Sequence, residues 1–102
     1  MAVLNEQELN ERLAGLDGWD VHDGALHKRF GFDDFASALA FANRVGGAAE
    51  AADHHPDLAV GWGYVEVSWV SHSDGGITGR DVEMAARSDQ LFSSGSDPER
   101  SM

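Results

Sequence analysis

An Asp-Gly pair set between two alternating runs constrains this chain more than any other feature. Asp23-Gly24 separates Trp19-Asp20-Val21-His22 from a second run in which Leu26, Lys28, Phe30 and Phe32 alternate with His27, Arg29 and Gly31. A two-residue turn of this composition takes positive φ and joins antiparallel strands. A second hairpin is expected downstream. In Tyr64–Ser71, Val65, Val67 and Trp69 share one face, and Tyr64, Glu66, Ser68 and Val70 the other. Leu58 to Val60 supplies a short partner strand and Gly61-Trp62-Gly63 the turn. A regular strand would carry His72 on along the second face.

Helical spacing fills the rest. Leu9, Leu13 and Leu16 fall on one face of a helix over Asn5–Leu16, which Asp17-Gly18 ends. Asp33-Asp34 opens a long helix, FASALAFANRVGGAAEAA. Gly46-Gly47 weakens it by about 1 kcal/mol per glycine relative to alanine, which favours close packing on a sheet or a second subunit. Pro56 ends it, because the residue before proline avoids the α region. Thr78-Gly79-Arg80-Asp81 reads as a capping box opening a last helix through about Phe92.

The order helix, hairpin, helix, hairpin, helix predicts a two-layer α+β domain, a four-stranded antiparallel sheet with three helices on one face. Its core includes Trp19, Phe30, Phe32, Phe35 and Trp69. At 102 residues the chain fits one domain, residues 1–92, followed by a polar tail, 93–102, expected to be disordered. Exposed strand edges invite pairing with another copy, so a homodimer or larger homo-oligomer is expected.

Charge and composition narrow the partners. Eighteen acids against seven Lys and Arg give a formal net charge of −11, which disfavours nucleic acids and anionic membranes. No apolar run approaches the roughly 20 residues of a membrane span. The N-terminus has no signal-peptide pattern, so the cytoplasm is the expected compartment. Without cysteine, thiolate nucleophiles, disulfides and Cys-based metal sites are excluded.

His54 and His55 close a helix, His72 closes a strand, and Asp81 stands in the first turn of the next helix. Three readings fit: acid–base chemistry by imidazoles, a zinc site of three histidines and an aspartate, or plain helix termination and capping. Trp62, between two glycines, fits either stacking on a flat ring or covering a sheet edge. His22 and His27 lie on the polar face of the first hairpin, and solvent exposure accounts for them.

Glu50-Ala51-Ala52-Asp53-His54-His55-Pro56 is followed after five residues by Trp62, after nine more by His72 and after eight more by Asp81. These residues and separations resemble the signature of the pterin-4a-carbinolamine dehydratase family. Trp19, the Phe-rich second strand and Gly79-Arg80-Asp81 extend the likeness over roughly residues 4 to 92. The resemblance implies a four-stranded antiparallel sheet with helices on one side. It implies a hydro-lyase that takes water from 4a-hydroxytetrahydropterin to give quinonoid dihydropterin, regenerating the pterin used by aromatic amino-acid hydroxylases. It further implies no metal or organic cofactor, and assembly as dimers or tetramers. On this likeness His54 and His72 map to acid–base groups. Asp81 would hydrogen-bond a histidine or the pterin, and His55, Glu50 and Trp62 would contact the substrate. Glu50, one turn before His54, would orient or charge that imidazole. Some members of the family serve instead as dimerisation, assembly or regulatory proteins, which is the alternative reading. The enzymatic reading requires imidazoles from distant stretches of chain to converge on one hollow.

Overall fold

Leu26, Phe30, Val65, Val67 and Trp69 lie at or near zero exposure on one face of a sheet, and the two strands that carry them are its centre. The computed structural model describes residues 2–94. Its elements are α1 (Glu6–Leu13), β1 (Asp20–His22), β2 (Ala25–Gly31), α2 (Phe35–Ala52), β3 (Asp57–Gly61), β4 (Tyr64–Trp69) and α3 (Gly79–Ser93), with one 3-10 turn at His72–Asp74. The strands pair antiparallel in the order β1-β2-β4-β3. This is the α+β architecture of three helices and a four-stranded antiparallel sheet expected from the hairpin spacing. Most of the expected tail, residues 95–102, lies outside the described residues.

Both turns follow from their residues. Asp23 and Gly24 have φ of 52° and 79° and close the His22–Ala25 pair, as a primed hairpin turn requires. Gly63 has φ of 80° and sits with Trp62 between the paired Gly61 and Tyr64. Asp34 caps α2 by accepting from the Ser37 amide. The helix ends on Asp53 in the left-handed region, φ 51°, a conformation Asp adopts more readily than most residues.

Several expectations are corrected. The first helix stops at Leu13 rather than Leu16, where Gly15 disfavours continuation; Leu16 still packs against the core. Phe35, expected inside, opens α2 and is 45% exposed. Phe30, Phe32, Phe41 and Phe92 form the aromatic cluster. Strand β4 ends at Trp69 rather than Ser71. Ser71 bridges back to Gly76 around the tight loop, so His72 does not continue the strand face.

Lys28 stands on the inward face of β2, between Leu26 and Phe30. Its ammonium is held by Asp89 of α3 at 2.8 Å and by the Asp17 carbonyl at 2.9 Å, and it lies over the Phe30 ring. Asp89 also accepts from the Trp19 indole N–H at 3.0 Å. One carboxylate thus ties α3 to β2 and to the segment before β1. Asp89→Ala strands both donors and is expected to cost about 1–3 kcal/mol, read as a lower urea midpoint with an unchanged slope.

Candidate active site

The exit of α2, the end of β4 and the start of α3 meet at one carboxylate. Asp81 is fully buried. Its Oδ1 lies 2.6 Å from His54 Nε2. Its Oδ2 accepts from the Ser71 hydroxyl at 2.9 Å and from the Thr78 amide at 2.8 Å. The last of these bonds is half of the capping box that starts α3, so capping and pairing with His54 are done by one side chain.

His54 is itself only 8% exposed. Its ring stacks on Trp69, with centroids 5.7 Å apart and planes at 21°, and its backbone N–H donates to the Ala49 carbonyl. Arg80 fixes the same corner from outside. Its guanidinium donates to the Ala52 and Asp53 carbonyls at 3.0 and 3.1 Å, satisfying helix-end acceptors that α2 leaves open. Ring, chain and carboxylate are therefore held from three directions.

The other residues singled out in the sequence lie around this pair. His55 is exposed and takes up Glu50, Nε2 to Oε2 at 2.5 Å. Glu50 thus meets the second histidine of the pair, not His54. His55, Pro56 and Glu50 line one end of an open groove of about 600 Å³ between α2 and β3, whose walls include Leu39, Gly46 and Gly47. Of the three imidazoles expected to converge on one hollow, His55 lines this groove and His54 and His72, like Asp81 and Trp62, do not, so the groove does not show that convergence. His72 is exposed at the head of the 3-10 turn. It directly follows Ser71, so the segments bearing His54 and His72 are joined through Asp81. Trp62 is 75% exposed at the tip of the β3–β4 turn. Away from this region, His27 is half-buried between Asp20 and Glu66, more enclosed than a purely solvent-facing residue.

Among the described residues, no set of three or more His, Cys, Asp or Glu is arranged to hold a metal ion, and no helix is long and apolar enough to cross a membrane. Sequence reasoning passed over Ser71. The signal was there, since 65, 67, 69 and 71 alternate onto the same inward face and only the last is polar. A buried hydroxyl needs a partner, and the nearby Thr-x-x-Asp motif supplies two.

Known proteins resemble this chain along most of its length. The family model for pterin 4 alpha carbinolamine dehydratase matches residues 2–91. A Roseiflexus castenholzii protein with the provisional name pterin-4-alpha-carbinolamine dehydratase is 42% identical over 91 residues, covering 89% of this chain and 98% of its own length. A Mycobacterium avium protein with the same provisional name is 44% identical over 85 residues, 83% of this chain and 90% of that protein. Among solved structures, a Brucella melitensis transcriptional coactivator/pterin dehydratase superposes with a TM-score of 0.82 at 36% identity, over 87% of this chain and 97% of that one. A pterin dehydratase-like protein identified as a RuBisCO assembly factor of the alpha-carboxysome gives 0.59 at 26% identity, over 72% and 84%. With the family model spanning nearly the whole described chain, and relatives above 40% identity matched along almost their full length, this protein belongs to the pterin-4a-carbinolamine dehydratase family.

Proposed function

We propose that the protein dehydrates 4a-hydroxytetrahydropterin to quinonoid dihydropterin, using its histidines as acid and base. The reaction breaks the C4a–O bond, removes the N5 proton and forms C4a=N5, with no change in oxidation level. The hydroxyl leaves as water once it has taken a proton. A histidine titrates near neutrality and can give or take a proton there. His54, held against a carboxylate, suits removal of the N5 proton. His72, open to solvent, suits protonation of the leaving hydroxyl. His55, Glu50 and Trp62 bind the pterin in this reading. The observation that carries it is the buried His54–Asp81 pair at 2.6 Å, built from residues of the family signature in a chain that belongs to that family.

The direct test adds the protein to freshly generated 4a-hydroxytetrahydropterin and follows product by absorbance. The expected result is dehydration well above the spontaneous rate, unchanged after dialysis against a chelator. No acceleration at micromolar protein overturns the reading. The physiological setting proposed is tetrahydrobiopterin recycling in the cytoplasm, by a homodimer or homotetramer. Support for assembly comes from β3, an edge strand of the sheet, and from the α2 groove, where among the described residues no neighbouring element lies within 4 Å of where a side chain at Gly46 or Gly47 would begin. Light scattering at working concentration distinguishes dimer, tetramer and monomer.

A second reading, a non-catalytic assembly module, is favoured by the structural likeness to the RuBisCO assembly factor. It differs by being indifferent to the histidines: His72→Ala would leave partner binding intact.

A further inference from the structure

The hydrogen bonds around Asp81 have a direction, and that direction reaches His54. The Arg80 amide donates to Thr78 Oγ1 at 3.2 Å. Thr78 Oγ1 and Ser71 Oγ are 2.9 Å apart, and Ser71 Oγ is 2.9 Å from Asp81 Oδ2. A hydroxyl has one proton to donate. An ionised carboxylate only accepts, so Ser71 must spend its proton on Asp81 Oδ2, which also receives the Thr78 amide. Thr78 must then spend its own on Ser71. Every bond runs toward Asp81, whose Oδ2 is filled by two donors and whose Oδ1 is left for one more. The group at Oδ1 is His54 Nε2. It completes the set as a donor, which places a ring proton on Nε2. Of the two imidazole nitrogens, the one left to exchange a proton with another molecule is Nδ1.

We propose that Ser71 is a positioning residue of the dehydration: its hydroxyl, with the Thr78 amide, turns Asp81 so that His54 carries its proton on Nε2 and presents Nδ1 as the working base. This rests on the dehydratase reading for its catalytic consequence, while the tautomer of His54 is a property of the free protein. Ser71 is almost completely buried and its hydroxyl is engaged by Asp81 and Thr78, so it acts through Asp81. Its place one residue before His72 adds a second effect. The bond that orients Asp81 also tethers the segment presenting the other proposed acid–base histidine.

The test uses three forms of the full chain: wild type, Ser71→Ala and Ser71→Thr. Nitrogen-15 spectra of the histidine rings, with His54 assigned by comparison with His54→Gln, report which ring nitrogen is protonated. The expected result is a His54 held as the Nε2–H tautomer in wild type and Ser71→Thr, and a mixture of tautomers in Ser71→Ala. Turnover is expected to fall about tenfold or more in kcat for Ser71→Ala, the scale of a lost hydrogen bond to a charged group. KM should change little, and Ser71→Thr should restore most of the rate. If Ser71→Ala fails to fold by circular dichroism, Ser71→Cys keeps the volume with a weaker donor and replaces it. A Ser71→Ala protein with unchanged tautomer and unchanged kcat, merely less stable, overturns the proposal. So does a wild-type His54 protonated on Nδ1 alone. Wild type that shows the Nε2–H tautomer but no dehydration overturns the dehydratase reading and leaves the Ser71–Asp81–His54 orientation standing.

Discussion

His54→Gln and His72→Ala are each expected to lower catalysed dehydration by about 10²–10⁴-fold, the range that a positioned acid or base supplies. The choice of glutamine at 54 follows from the burial of that site. A glutamine amide can still donate to Asp81 Oδ1, so the carboxylate keeps a partner, but an amide cannot shuttle a proton. Alanine there would leave a buried carboxylate one donor short and open a hole beside Trp69, mixing lost stability with lost chemistry. His72 is exposed, so alanine removes its imidazole at little structural cost. Single-turnover rates with pre-formed carbinolamine, corrected for the spontaneous reaction, check both. Should both variants turn over at the wild-type rate, the acid–base assignment is wrong.

Asp81→Ala is expected to be strongly destabilising, at about 3–5 kcal/mol, the scale seen when one partner is removed from a buried ion pair. Three donors lose their acceptor together: His54 Nε2–H, the Ser71 hydroxyl and the Thr78 amide. α3 loses half of its capping box as well. These losses share one atom group and do not simply add. For a domain of this size, where 1 kcal/mol shifts the melting temperature by about 4–8 °C, the midpoint should fall on the order of 20 °C. Thermal melts by circular dichroism measure it. A fall equivalent to less than about 1 kcal/mol would mean that water or a rearranged loop satisfies those donors, contrary to their burial.

Much of this architecture was legible before any coordinates. The Asp23-Gly24 turn, the alternation of Val65, Val67 and Trp69, and the Thr78–Asp81 capping box each carry a local rule strong enough to act alone. The signature residues fall at element ends, and the fold brings two of them, His54 and Asp81, into contact. What stayed hidden was pairwise geometry. Spacing put Glu50 one turn from His54, yet the end of α2 turns at Asp53 in a left-handed conformation and Glu50 meets His55. Strand periodicity carried His72 forward along β4, but the loop through Gly75 and Gly76 folds the chain back at Ser71 and lifts His72 onto a turn. Phe35 has the right spacing for the core and is exposed because it opens its helix. In each case a single residue at the end of an element decided the outcome, where periodic patterns carry least information.

Asp81 serves two masters, and this changes how kinship within such proteins should be read. If the proposed chemistry holds, a descendant that abandoned it would be free to discard the exposed imidazole at 72, yet the acid at 81 would still serve to begin its final helix. Finding that acid in a distant cousin therefore says nothing about whether the cousin is an enzyme. On the proposed reading His72, exposed on its turn and cheap for the fold to lose, is the residue whose retention carries that information.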